Sequence, residues 1–284
     1  MDTNQQKVVK YFSSLGTRLG FNWLLWGSKH FGFYPTGKKD ISERKAQILL
    51  QDLVAKNLGL KENQKVLDAG CGQGIVSTYL AKKYGPEIFG ITIVPFEIKE
   101  AQKLALKLNI QEKTHYQLMD YSATDFPDDH FDAIYTTETL SHSPDIKRTL
   151  REFFRILKPG GKIALFEYTI APDEKFNPWE KKMLNLVING SAMMGLKSFR
   201  HDQFTNIIKN TGFENVREQN ITENVAPSIR RLNKLAVFPY QIIKLFRLQK
   251  HFINTTAGYE FYKMAKNGLF RYCIFTANKP KISL

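Results

Sequence analysis

Val66-Leu67-Asp68-Ala69-Gly70-Cys71-Gly72-Gln73-Gly74 decides how this 284-residue chain is read. Two apolar residues lead into an acid, three glycines follow at every second position, and Ile75-Val76-Ser77-Thr78-Tyr79-Leu80-Ala81 comes next. That order is a buried strand, a tight glycine turn and the start of a helix. Glycine lets the backbone approach a ligand closely and reach conformations barred to other residues. The N–H groups that open the helix point into the same crevice. The spacing is G-x-G-x-G, not the G-x-G-x-x-G that cradles a dinucleotide pyrophosphate. A purely structural turn and a plain NAD-binding fold are the alternatives.

Working outward, strands are expected at 66–68, 87–93, 114–119, 131–136, 162–167, 212–219 and 270–277. Helices are expected at 76–84, 95–108, 146–157 and 201–211, with Pro95 near the first turn of its helix. Strand–helix alternation with short links implies an α/β fold, a parallel sheet covered by helices on both faces. Residues 1–60 read as a helical, aromatic-rich cap, with a helix over 41–58 that Gly59 closes. Residues 61–284 form the main domain, carrying helical insertions at about 172–200 and 225–267. The second is too long for a hairpin loop and reads as a lid or a surface-binding appendage.

The net charge of +14 is unevenly placed. Residues 61–199 hold 18 Lys+Arg and 18 Asp+Glu, whereas 200–284 hold 14 against 5. No acid lies between Glu223 and Glu260, a stretch that includes Arg230, Arg231, Lys234, Lys244, Arg247 and Lys250. Such asymmetry points to an anionic membrane surface or an acidic substrate, or else to a solvated basic face. Within it, 240–253 has the pattern of one basic amphipathic helix, interfacial or packed as a lid. Two cysteines give no disulfide framework and fit a reducing compartment. With a polar N-terminus and no 18-residue apolar run, the expected location is cytoplasmic, with peripheral contact to an anionic membrane through 225–267.

The glycine motif resembles the nucleoside-binding segment of class I S-adenosylmethionine (SAM) methyltransferases. Three further signatures follow in that family's order: Gln117-Leu118-Met119-Asp120, Phe126-Pro127-Asp128-Asp129-His130-Phe131-Asp132, and Leu157-Lys158-Pro159-Gly160-Gly161. The resemblance covers about residues 60–170. It implies SAM as cofactor and a Rossmann-like, seven-stranded, mostly parallel sheet whose last strand is antiparallel. The cofactor residues it implies are Asp68, Gly70, Gly72, Gly74, Asp120 as acceptor from the adenine amino group, and Tyr121 beside it. There is one departure: Thr92 stands where many members place an acid for the ribose hydroxyls. Glu97 is the alternative carboxylate, and cyclopropane fatty acid synthases share the apolar-Thr-apolar pattern. Which of the two holds the ribose stays open.

Lys29-His30-Phe31-Gly32-Phe33-Tyr34 resembles a segment ahead of the core in sterol and tocopherol methyltransferases. Glu138 to His142 resembles the Glu-x-x-x-His of sterol 24-C-methyltransferases. The implied catalytic residues are Glu138 and His142, and the implied substrate-binding residues are Tyr11, Trp26, His30, Phe31 and Tyr34. The expected reaction is methyl transfer to a small hydrophobic acceptor, with C-methylation of a sterol or isoprenoid-like lipid first. O- or N-methylation of a soluble metabolite and a lipid-surface module without turnover are the other readings. A nucleic-acid partner is disfavoured, because the tip of the fourth strand lacks Asn/Asp-Pro-Pro-aromatic and no zinc or RNA-binding module is visible. No metal site is expected, and the oligomeric state stays open.

Overall fold

The computed structural model of the protein describes residues 1–25, 27–38 and 40–281. Three helices precede the sheet: α1 (Thr3–Ser13), α2 (Leu15–Leu25) and α3 (Glu43–Leu58). Then come β1 (Lys65–Ala69), α4 (Ile75–Tyr84), β2 (Glu87–Thr92), α5 (Pro95–Lys107), β3 (Thr114–Leu118), β4 (Phe131–Thr137), α6 (Ile146–Ile156) and β5 (Leu157–Ile170). The last third holds α7 (Pro178–Gly190), α8 (Phe204–Lys209), β6 (Glu214–Asn220), α9 (Thr222–Leu245), α10 (Ile253–Lys266) and β7 (Phe270–Asn278). The seven strands lie in the order β3-β2-β1-β4-β5-β7-β6. All pairs are parallel except those made by β7, which runs antiparallel between β5 and β6.

The central strands are apolar because both faces are covered. Val66, Leu67 and Ala69 of β1 and Ala133, Ile134 and Tyr135 of β4 are almost wholly buried. The strand order reverses direction between β1 and β4, and the crevice at such a switch point is where open α/β sheets hold ligands. The glycine turn after β1 therefore faces the tips of β2 and β4. Strand β5 starts earlier than the sequence suggests. Leu157 already pairs with Phe131, and a register shift before Ala133↔Lys162 takes up Lys158–Gly161. Gly160 at φ +77° permits that bulge.

One expectation is overturned. Residues 240–253 do not form a single amphipathic helix: α9 stops at Leu245, Arg247 sits at φ +56°, and Ile253 opens α10. The cause is the return packing of α10 on α9. Tyr240 stacks on Tyr259 with ring centroids 4.1 Å apart, and its buried hydroxyl donates to Glu260. A straight helix would carry Glu260 about 30 Å from Tyr240 and forfeit that contact. The two helices make an antiparallel hairpin with residues 246–252 at its tip.

Helix α3 is bounded by its caps. Ser42 accepts from the Lys45 N–H, and Gly59 closes it at φ +65°. It anchors the chain segment that links the cap to the core. Gln47 donates to the His30 carbonyl (3.1 Å) and Gln51 to His30 Nε2 (3.2 Å). Since Gln51 donates to Nε2, Nδ1 carries the proton and donates to the Phe31 carbonyl at 2.8 Å. Burial pushes the His30 imidazole down from 6.5 to about 4. A depressed histidine contributes stability that is full above pH 6.5 and lost as pH falls toward 4, because the unfolded chain takes up the proton first. Urea midpoints measured from pH 7 to pH 4.5 should show His30→Asn flattening the acid-side slope by up to about 1.4 kcal/mol per pH unit. An unchanged slope would mean that His30 titrates normally.

Candidate active site

The crevice opens into one cavity of about 750 Å³. That is within the usual range for a small-molecule site, roughly 300–1,000 Å³. Its floor is the sheet edge: Gly70, Cys71 and Gly72 after β1, Thr92 to Val94 after β2, Asp120 to Ser122 after β3, and Thr137 to Thr139 after β4. Its roof is α1 with Tyr11 and Phe12, together with Ile229, Leu232 and Leu235 of α9 and Gly258 and Phe261 of α10. The cap and the hairpin meet there, where Tyr11 donates to Asn254 (2.6 Å) and Asn254 to Thr17 (3.2 Å).

One end of the cavity is polar. Glu97 is almost wholly buried, accepts from the Thr92 hydroxyl at 2.7 Å and pairs with Lys29. Thr92 therefore orients Glu97 at the place where a ribose acid is expected. Asp120 accepts from Ser122 N–H (2.8 Å), Ser122 Oγ (2.9 Å) and Gln5 Nε2 (2.5 Å). Tyr121 lines the same wall and donates to the Thr139 carbonyl. The three glycines differ in what they do. Gly72 (φ +52°) lines the cavity, and among the described residues a Cβ there would meet only Lys29 Cδ at 3.9 Å. Gly74 (φ +75°) lies below the wall, where a Cβ would meet Tyr116 Oη at 2.7 Å and Ala101 Cβ at 2.8 Å. Gly70 (φ +92°) packs on Thr139. Asp68 is buried under the turn and accepts from Ser77 at 2.5 Å, and burial raises its carboxyl to about 6. Neither Asp68 nor Gly74 is among the described lining residues. They shape the turn from beneath.

The other end is apolar and holds two titratable side chains. Glu138, at the tip of β4, is in the left-handed region at φ +57°, a strained position for a residue with a side chain. Its backbone N–H donates to the Phe166 carbonyl, while its carboxyl accepts from the Phe31 N–H (2.7 Å) and from the Tyr168 hydroxyl. Burial holds that carboxyl well above the usual carboxylate range. His142 packs against Tyr11 and Phe12, with ring centroids 6.5 and 5.1 Å away. Its Nδ1–H donates to the carbonyl of Ala192 (3.1 Å), itself at φ +55°, so Nε2 keeps the lone pair. Burial pushes His142 down to about 4, leaving it neutral at pH 7. Phe31 lines the cavity. His30 also lines it, but both its ring nitrogens are engaged inside the protein. Tyr34 is not among the described lining residues; its hydroxyl donates to Glu43. Trp26 lies outside the described residues.

Sequence reasoning passed over Gln5, Lys29, Tyr168 and Glu167. Glu167 is fully buried in β5. Its Oε1 accepts from Thr136 Oγ1 (3.1 Å), Thr139 N–H (3.0 Å) and Leu140 N–H (2.9 Å), holding the turn that carries Glu138 and His142. No local pattern marks it, since its partners lie about thirty residues away on β4. Leu at 167 would leave those three donors unmet. Glu167→Leu should cost about 3 kcal/mol in urea denaturation, and Glu167→Gln, which keeps one acceptor oxygen, distinctly less.

The polar end fits a SAM molecule. Gly72 leaves space against the backbone among the described residues, and Glu97 and Asp120 present the carboxylates that the family resemblance assigns to ribose and adenine. Gly72→Val should fold, with some loss of stability from its φ, and lose SAM binding by calorimetry. Gly74→Val should instead lower the melting temperature sharply, because its side chain meets Tyr116 and Ala101. Asp120→Ala should weaken SAM by about 1–3 kcal/mol. Undiminished affinity in a folded Gly72→Val protein would remove Gly72 from the cofactor wall.

A family model described as a methyltransferase domain matches residues 42–218. An S-adenosyl-L-methionine-dependent Diels-Alderase of Talaromyces variabilis is 28% identical over 97% of this chain and 96% of its own. The chloroplastic tocopherol O-methyltransferase of Arabidopsis thaliana is 28% identical over 90% of this chain and 78% of its own. The solved structure of the cyclopropane synthase MmaA2 of Mycobacterium tuberculosis shares the fold, with a TM-score of 0.81 at 18% identity over 97% of this chain and 98% of that one. With the family model covering more than half of its length, this chain belongs to the SAM-dependent methyltransferases, and SAM is its cofactor.

Proposed function

We propose that the protein methylates a carbon of a small hydrophobic acceptor of sterol or isoprenoid type. The observation that carries this reading is the apolar end of the cavity, where a buried carboxyl on strained backbone and a neutral imidazole face the same space under aromatic rings. SAM, when bound, supplies an electrophilic methyl group. The chain's own residues do the rest. Tyr11, Phe12, Phe31 and Tyr168 exclude water and give a developing cation ring faces to rest on. When one alkene carbon takes the methyl with the π electron pair, its partner carbon becomes cationic, and a carbon next to the cation must lose a proton. The lone pair on His142 Nε2 takes it, for which a weak base suffices because a carbocation is a very strong acid. Glu138 balances the positive charge: a cation beside it draws its raised carboxyl back toward ionisation.

Two other readings have support. O- or N-methylation of a soluble metabolite uses the same cavity and needs only one of the two titratable groups. The near-full-length relationship to a SAM-dependent Diels-Alderase favours a third, in which the apolar end folds a polyene for ring closure. Methyl-labelled SAM incubated with the protein and a lipid extract separates them. Label in a neutral lipid supports the proposal, label in a water-soluble product supports the second, and an isomerised product without label supports the third.

Glu138→Gln keeps the shape and removes the ionisable carboxyl. Turnover should fall by about 10²-fold or more while SAM affinity stays within about twofold. Full activity in that variant would count against both a base and a charge-balancing role. His142→Ala should reduce turnover in the same direction with SAM affinity also kept.

A further inference from the structure

The α9–α10 hairpin has a tip that none of the described residues covers. Among the described residues, large exposed apolar side chains concentrate between Leu235 and Phe252. Phe238 is 76% exposed, Leu245 77%, Phe246 64% and Phe252 51%. In a folded domain so many apolar groups on one convex corner mark a contact surface. Between them stand Lys244, Arg247 and Lys250, with Lys234 just before Leu235, and no acid lies between Glu223 and Glu260. Lys244 lies over the Trp179 ring at 5.5 Å, so its charge is held beside the half-exposed indole.

We propose that this tip docks on an anionic lipid bilayer, with the Phe and Leu side chains entering the headgroup boundary and the four cations on the phosphates. The charge complementarity selects this occupant: cations interleaved with apolar rings on a convex turn match the composition and depth of a membrane interface. The tip is also continuous with the cavity. Leu235 lines the cavity and is 49% exposed, one helical turn from Phe238, and Asn254 lines it on the α10 side. A lipid acceptor leaving the bilayer therefore meets the cavity mouth without crossing water. That last consequence rests on the lipid-acceptor reading above; the docking does not.

The test is co-sedimentation of the full chain with vesicles of phosphatidylcholine containing phosphatidylglycerol, and with phosphatidylcholine alone. Wild type should pellet with the anionic vesicles at low salt and be released by raised salt. Lys244→Glu/Arg247→Glu/Lys250→Glu should weaken binding roughly a hundred-fold, at about fivefold per residue. Phe238→Ser/Leu245→Ser/Phe246→Ser should also abolish pelleting. Both variants alter exposed side chains, and unchanged SAM affinity in each shows that the fold is kept. Failure of wild type to pellet at low salt overturns the proposal. So does concentration-dependent dimerisation that the serine variant abolishes while vesicle binding is absent, since the tip would then be a self-association surface. If vesicles are bound but no lipid takes up labelled methyl, the docking stands and the acceptor reading falls.

Discussion

The Glu167 carboxylate is the constraint on which the site depends. One oxygen of a fully buried side chain on β5 receives a hydroxyl and two backbone N–H groups from the end of β4. Those N–H groups belong to a turn that has left the sheet ladder, and buried away from water they need an acceptor. The carboxylate supplies it from the neighbouring strand, and burial raises its own proton affinity to about 7 as the cost of standing there. The strained φ of Glu138 persists because both ends of the turn are held, by Phe166 on one side and Glu167 on the other. The sheet thus fixes the backbone that carries the Glu138 carboxyl, and the cap adds the Phe31 N–H that holds it.

Burial then sorts the titratable groups by task. Glu138 and His142 lie in one apolar compartment, and desolvation moves them in opposite directions: the acid up, the base down. Burial therefore disfavours the charged form of both groups. At the polar end Glu97 and Asp120 are instead surrounded by donors, from Thr92 and Lys29 to Ser122 and Gln5. A single cavity therefore keeps a hydrogen-bonding half and a more apolar half.

The core was legible because its signals are local. The strand, glycine turn and helix at 66–84, the acid after β3 and the tip of β4 each announce themselves within a few residues, whereas the order of the strands comes from the structure. What stayed hidden is long-range. Gln5 reaches Asp120 across 115 residues, and nothing in the periodicity of α1 foretells it. Equal spacing also concealed unequal roles, since only Gly72 of the three glycines stands on the cavity wall with open space where its Cβ would be. The reversal after Leu245 was missed because the apolar and basic residues of 240–253 fit a helical wheel. The deciding contact, Tyr240 with Tyr259 and Glu260, joins residues about twenty apart.

The ties between the cap and the polar wall have a consequence for affinity. Lys29 and Gln5 occupy oxygens of Glu97 and Asp120, the two acids that a nucleoside would use. The cap is in this respect a tethered rival of the cofactor, present at high effective concentration because it belongs to the same chain. If SAM takes those carboxylates, its binding would be an exchange of partners there, and the observed affinity would be the intrinsic one multiplied by the fraction of molecules in which the cap has let go. Shortening the N-terminus would then tighten the hold on SAM even as it uncovers the acceptor.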